Sequence, residues 1–164
     1  MRVLLAPMEG VIDHTMRDIL TRLGGYDRCV TEFIRVSQLP LPGKVFRRFA
    51  PELDHGGRTP TGVPVFVQLL GSHPRMMARS AANAAALGAP GIDLNFGCPA
   101  KVVNRHDGGS ALLREPARVG SIVDAVRQAV DPAIPVCAKI RLGFDDSALF
   151  PDIAAAAAEA GASE

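Results

Sequence analysis

The residues best able to do chemistry lie between positions 91 and 109, in GIDLNFGCPAKVVNRHDGG. An apolar, strand-like run ends in Asn95, Phe96-Gly97 make a turn, and a lone Cys98 is followed by Pro99. Lys101 and the Gly108-Gly109 pair come next. A thiol at the mouth of a strand, beside an amide and a cation, is a candidate reactive site, because cysteine chemistry follows its microenvironment. A lone cysteine also serves as a small buried apolar residue. The elements that must position Cys98 decide between these two readings.

Five short apolar runs recur, at 3–6, 29–34, 65–70, 91–95 and 136–142. Between them Met16, Ile19, Leu20 and Leu23 keep helical spacing, with Asp13 as N-cap. Residues 74–87 read as a helix stopped by Gly88. Pro116 opens another, with Val119, Ile122, Val123, Val126 and Val130 on one face. Residues 150–160 form an alanine-rich helix closed by Gly161. Residues 39–62 read as a loop with one short helix around 44–49.

Alternating strands and helices predict an α/β fold with a parallel sheet. The first turn, Pro7-Met8-Glu9-Gly10, lacks the glycine-rich phosphate fingerprint, which weakens the doubly wound option. Polar residues arrive late in each run. Asp93 and Asn95 share one side of their strand, Lys139 and Arg141 share one side of theirs, Gln68 sits near the end of the third, and Glu32 is placed within the second. A (β/α)₈ TIM barrel gathers its chemistry at that end. Eight units make a barrel and five are visible, so the expectation is an incomplete barrel of about five βα units.

At 164 residues, 48% hydrophobic and 21% charged, the chain can bury the core of one domain. A net charge of +1 neither requires nor excludes an anionic partner. There is no run of eighteen apolar residues, so no membrane span is expected. Three cysteines, Cys29, Cys98 and Cys137, lack metal spacing; no metal is expected, and a reducing cytoplasm is the simplest setting.

LLAPMEGVID (4–13), TEFIRV (31–36), VQLLG (67–71), DLNFGCPAKVVNRHDGGSALL (93–113) and AKIRLG (138–143) together resemble the tRNA-dihydrouridine synthases. The N-x-G-C-P-x-K-V element at 95–102 is the most specific of these. The similarity is strongest to the bacterial C-type enzymes, which act on uridine 16 of tRNA. The resemblance implies a flavin-binding TIM barrel followed by a helical tRNA-binding domain. It also implies reduction of the uracil C5–C6 bond with FMN and NADPH. On that basis residues 1–164 are the N-terminal part of the catalytic barrel, with later strands and the helical domain expected beyond Glu164.

The resemblance also assigns residues. Cys98 is the expected general acid, and it must be a thiol to donate a proton. Pro7, Met8, Glu9, Gln68 and Lys139 are expected around FMN, Lys139 by stabilising negative charge on the ring. Asn95, Arg35, Arg141 and Lys101 are expected to meet tRNA, as base or phosphate contacts. A monomer is expected. Two further readings stand beside this one: a dihydroorotate- or dihydropyrimidine-type flavin dehydrogenase, and a non-catalytic RNA-binding fragment.

Overall fold

The computed structural model describes residues 1–164. Six strands form one parallel sheet: β1 (Leu4–Leu5), β2 (Arg28–Val30), β3 (Ile34–Arg35), β4 (Val65–Leu70), β5 (Ile92–Asn95) and β6 (Val136–Lys139). The order is β1-β2-β4-β5-β6, with β3 beside the end of β4. The helices are α1 (His14–Leu23), α2 (Gly43–Phe49), α3 (Pro74–Ala86), α4 (Lys101–Asn104), α5 (Pro116–Ala129) and α6 (Phe150–Glu159). Asp13 caps α1 as its sequence predicts, its carboxylate accepting from the Met16 N–H at 2.9 Å.

The sheet has two different faces. The outer face, with α2, α3, α5 and α6, builds a 24-residue apolar core around Leu69, Ile92, Leu94 and Val123. Leu5, Cys29 and Val65 pack with Ile12 and the apolar face of α1. The inner face carries Arg28, Val30, Phe66, Gln68, Asp93, Asn95, Cys137 and Lys139. Side chains of β2 and β6 touch across it, Arg28 Nη1 lying 3.7 Å from Cys137 Sγ. Two strands lie between them, a separation of roughly 14 Å in a flat sheet. The sheet is therefore curled into part of a barrel, as the resemblance implies. The Ser163 N–H donates to Val136 O at 2.7 Å and the Ala138 N–H to Glu164 O at 2.9 Å, so residues 163–164 run alongside β6. No helix is long and apolar enough to cross a membrane.

Three details differ from the sequence prediction. The run 29–34 is two strands, not one. Thr31 ends the first: its hydroxyl donates to Glu32 O at 2.8 Å and accepts from the Gln68 N–H at 3.0 Å. Glu32 therefore lies in the gap rather than within a strand, and its carboxylate accepts from the Gly10 N–H at 2.6 Å. The last run stops pairing at Lys139, leaving 140–142 outside the strand. Short elements not read from the sequence are a 3₁₀ helix at Pro51–His55, within the predicted loop, and, between β5 and α5, α4 and a second 3₁₀ helix at Gly109–Arg114.

Candidate active site

The C-terminal ends of β4, β5 and β6 and the first βα loop surround an open cavity of about 300 Å³. Pro7, Glu9, Gln68, Asn95, Cys98, Lys139 and Arg141 line it, with Phe33 at its edge. Strand register explains the convergence. Gln68 pairs with Asp93, and Asn95 pairs with Lys139. Because side chains alternate, all four project to the inner face.

Cys98 is held by its backbone. Its N–H donates to Asn95 Oδ1 at 2.9 Å, and the Gly97 N–H donates to the same oxygen at 3.0 Å. Its carbonyl accepts from the Ser110 N–H at 2.9 Å. Gly109 has φ +59°, and a Cβ there would stand 2.6 Å from Cys98 O and 2.9 Å from Val103 Cγ1. Gly109 thus lets the chain close against the cysteine loop. Cys98 itself is half-buried at the cavity wall. Cys29 and Cys137 are buried, and burial pushes both thiols up to about 11, which keeps them protonated and inert.

The amides form a chain. Asn95 Nδ2 donates to Gln68 Oε1 at 2.8 Å, and Gln68 Nε2 donates to the Asp93 carboxylate at 2.6 Å. Asn95 thereby has no acceptor left and one N–H to offer, so it can meet a carbonyl but not an imide N–H. Beneath the cavity, Arg28 stacks on the Phe66 ring at 4.4 Å and donates to Glu164 at 2.6 Å. Polar side chains are therefore not confined to the late ends of the strands, because Arg28 opens β2 and is buried.

Burial pushes the Asp93 carboxyl up to about 6, against the opposing pull of the Gln68 hydrogen bond and of Lys139 and Arg28. The folded value lies above the unfolded one of about 4. The folded chain then binds more protons between those values, so the Asp93 contribution is full below about pH 4 and lost as pH rises through about 6. The shift corresponds to roughly 3 kcal/mol. Asp93→Asn is expected to gain stability relative to the unsubstituted protein on going from pH 4.5 to 7.5, as read from urea midpoints. A difference that does not change with pH would contradict this.

Not every expected residue reaches the cavity. Met8 is 48% exposed on the first turn and is not among the lining residues, though its carbonyl holds that turn by accepting from the Val11 and Ile12 N–H groups. Arg35 lines a neighbouring groove with His73 and His106. Lys101 is exposed at the start of α4. Asp93, Thr31 and Arg28 were not among the expected site residues. Asp93 gave a signal, its shared side with Asn95.

Parallel strands with side chains from several units converging at their C-terminal ends are the arrangement by which (β/α)-barrel proteins build active sites. The chain belongs to the dihydrouridine synthase family: the family model described as Dihydrouridine synthase (Dus) matches residues 4–164. Over all 164 residues it is 58% identical to a Vibrio cholerae protein named tRNA-dihydrouridine(16) synthase. Proteins with the same name from Shewanella oneidensis and Aquipseudomonas alcaligenes are 57% and 55% identical over the same length. These alignments cover 100% of this chain and 51–52% of the relatives, so the chain spans about half their length.

Proposed function

We propose that the protein reduces the C5–C6 double bond of uridine 16 in tRNA to dihydrouridine. The observation that carries this reading is the thiol of Cys98 in one cavity with the amides of Gln68 and Asn95 and the ammonium of Lys139. The name shared by relatives that align with the chain over its full length supports the tRNA position. We further propose that residues 1–164 are the N-terminal part of a flavin-binding TIM barrel acting in the cytoplasm. The remaining strands and a helical tRNA-binding domain would come from the rest of the protein.

The donor set fits a flavin ring. Gln68 has one N–H to spare and Lys139 brings a positive charge, which suits the carbonyl-rich edge of FMN, while the remaining N–H of Asn95 would meet a carbonyl of the target base. Pro7 and Glu9 would pack beside it. FMN held there and reduced by NADPH would supply the hydride for C6 of the uracil. Lys139 stabilises negative charge in the site. Cys98 gives its proton to C5, and the thiol, at the wall of an open cavity, is reprotonated from solvent. Arg141, which lines the cavity, and Arg35 and Lys101, outside it, would meet tRNA phosphates. A uridine in folded tRNA must be extruded to reach the cavity.

The test uses the protein expressed from its complete gene. Its yellow spectrum and the position of dihydrouridine in tRNA from a gene-deletion strain, before and after complementation, are measured. Restoration at position 16 is expected. Reduction of free orotate or uracil with none of tRNA would move the assignment to a pyrimidine dehydrogenase.

Gly109→Ala tests the loop. The methyl would push on Cys98 O, and a displacement near 1 Å costs about 100-fold in rate. Single-turnover reduction of tRNA is expected to slow by roughly 10- to 100-fold, with flavin content unchanged.

A further inference from the structure

We infer that Asp93 is a positioning residue: it anchors a hydrogen-bonded chain, Asp93–Gln68–Asn95, whose far end holds the backbone of Gly97 and Cys98. The inference rests on the proposed reading only for what the site acts on.

The chain runs in one direction, and chemistry at both ends sets that direction. An ionised carboxylate can only accept. The atom of Gln68 that lies 2.6 Å from Asp93 is therefore Nε2, which turns Oε1 toward Asn95 at 2.8 Å. Asn95 must then present Nδ2 to Gln68 and Oδ1 to the loop. At the other end, the Gly97 and Cys98 N–H groups can only donate, at 3.0 and 2.9 Å, and they demand the same oxygen. The two ends agree, so neither amide can flip without breaking at least two bonds. Gln68 is fully buried, and Asp93 and Asn95 nearly so, so a broken link strands a desolvated polar group. Strand pairing alone does not hold the loop: residues 97 and 98 lie past the last residue of β5, and Asn95 is the acceptor for both their N–H groups.

Asp93 thus acts through two side chains on the residue that carries the thiol. It touches neither the thiol nor the cavity described above, yet removing it frees Nε2 of Gln68 and loosens every later link. What Asp93 must supply is an acceptor, and an amide oxygen can supply one too.

Amide hydrogen exchange of residues 97 and 98, resolved by mass spectrometry on the protein expressed from its complete gene, reads the far end without flavin or tRNA. Asp93→Ala is expected to lower protection there by ~10-fold, the scale of one lost hydrogen bond. Protection at Phe96, whose N–H donates to Lys139 O in the sheet, should hold. Asp93→Asn should keep protection at 97 and 98 near the unsubstituted level. Gln68→Glu sets two carboxylates against each other and, measured at about pH 9 so that the pair does not share a proton, should lose it. Adding Asp93→Asn to Gln68→Glu should restore it, because the introduced amide donates to the introduced carboxylate and Asn95 keeps its acceptor. If Asp93→Ala does not fold, the Gln68→Glu pair decides alone. Unchanged protection in Asp93→Ala or Gln68→Glu would overturn the inference. So would equal loss at 96, 97 and 98, or failure of the double substitution to recover. Because no substrate is used, a wrong assignment of the reaction cannot produce any of these results.

Discussion

Cys98→Ala is expected to slow reduction of tRNA uridine by about 100- to 10,000-fold, the usual contribution of a positioned general acid. The reason for expecting a chemical rather than a folding defect lies in how the residue is held. Asn95 and Ser110 grip its N–H and carbonyl, and neither contact involves the sulfur. Alanine therefore keeps the loop and removes only the proton. Flavin content and tRNA affinity should stay near those of the unsubstituted protein. Cys98→Ser should be nearly as slow, since a hydroxyl is a far weaker acid than a thiol. Rapid mixing of pre-reduced protein with tRNA isolates the step. A Cys98→Ala protein reacting at the unsubstituted rate would show that the proton comes from elsewhere.

The second large effect is expected far from the thiol. Glu52→Ala should cost about 3–5 kcal/mol of stability, because it strands a buried cation. Arg17 is fully buried, and Glu52 accepts from its Nε and Nη2 at 2.8 and 3.0 Å. Arg17 also donates to Ile12 O at 3.0 Å and Phe49 O at 2.9 Å, joining α1, the end of α2 and the first βα loop. That loop carries Pro7 and Glu9 into the cavity. The loss should thus appear in urea midpoints and as weaker flavin retention. Replacing both partners together, as Arg17→Met with Glu52→Leu, should be milder than Glu52→Ala alone, since no charge is left unpaired. A loss below about 1 kcal/mol for Glu52→Ala, the range of an exposed pair, would mean that the pair is not buried in solution.

Much of the site was legible because its chemistry and its local structure use the same residues. Cys98, Asn95 and the glycine pair fall within fifteen residues of one another, and strand alternation alone puts Asp93 beside Asn95. Lys139 and Gln68 were found from their place near the ends of apolar runs. What stayed hidden depends on contacts that sequence distance conceals. Arg28 looks like a surface residue before an apolar run. It is buried because Phe66 stacks on it and Glu164, 136 positions away, pairs with it. The run 29–34 is apolar enough to pass as one strand. Only the hydroxyl of Thr31, substituting for a ladder partner of Gln68, breaks it. The link from Asp93 to Gln68 needs the register of β4 against β5, which no periodicity encodes. The one-turn helices are too short to show a period at all.

The most direct measurement is the rate at which iodoacetamide alkylates Cys98, followed on its peptide by mass, with and without saturating tRNA. Cys29 and Cys137, buried with raised thiol values, serve as slow internal references. If the extruded uracil sits against this thiol, tRNA carrying uridine at position 16 should slow alkylation by at least ~10-fold, and tRNA lacking only that base should protect far less. Equal rates with the two tRNAs would mean that the base never reaches Cys98.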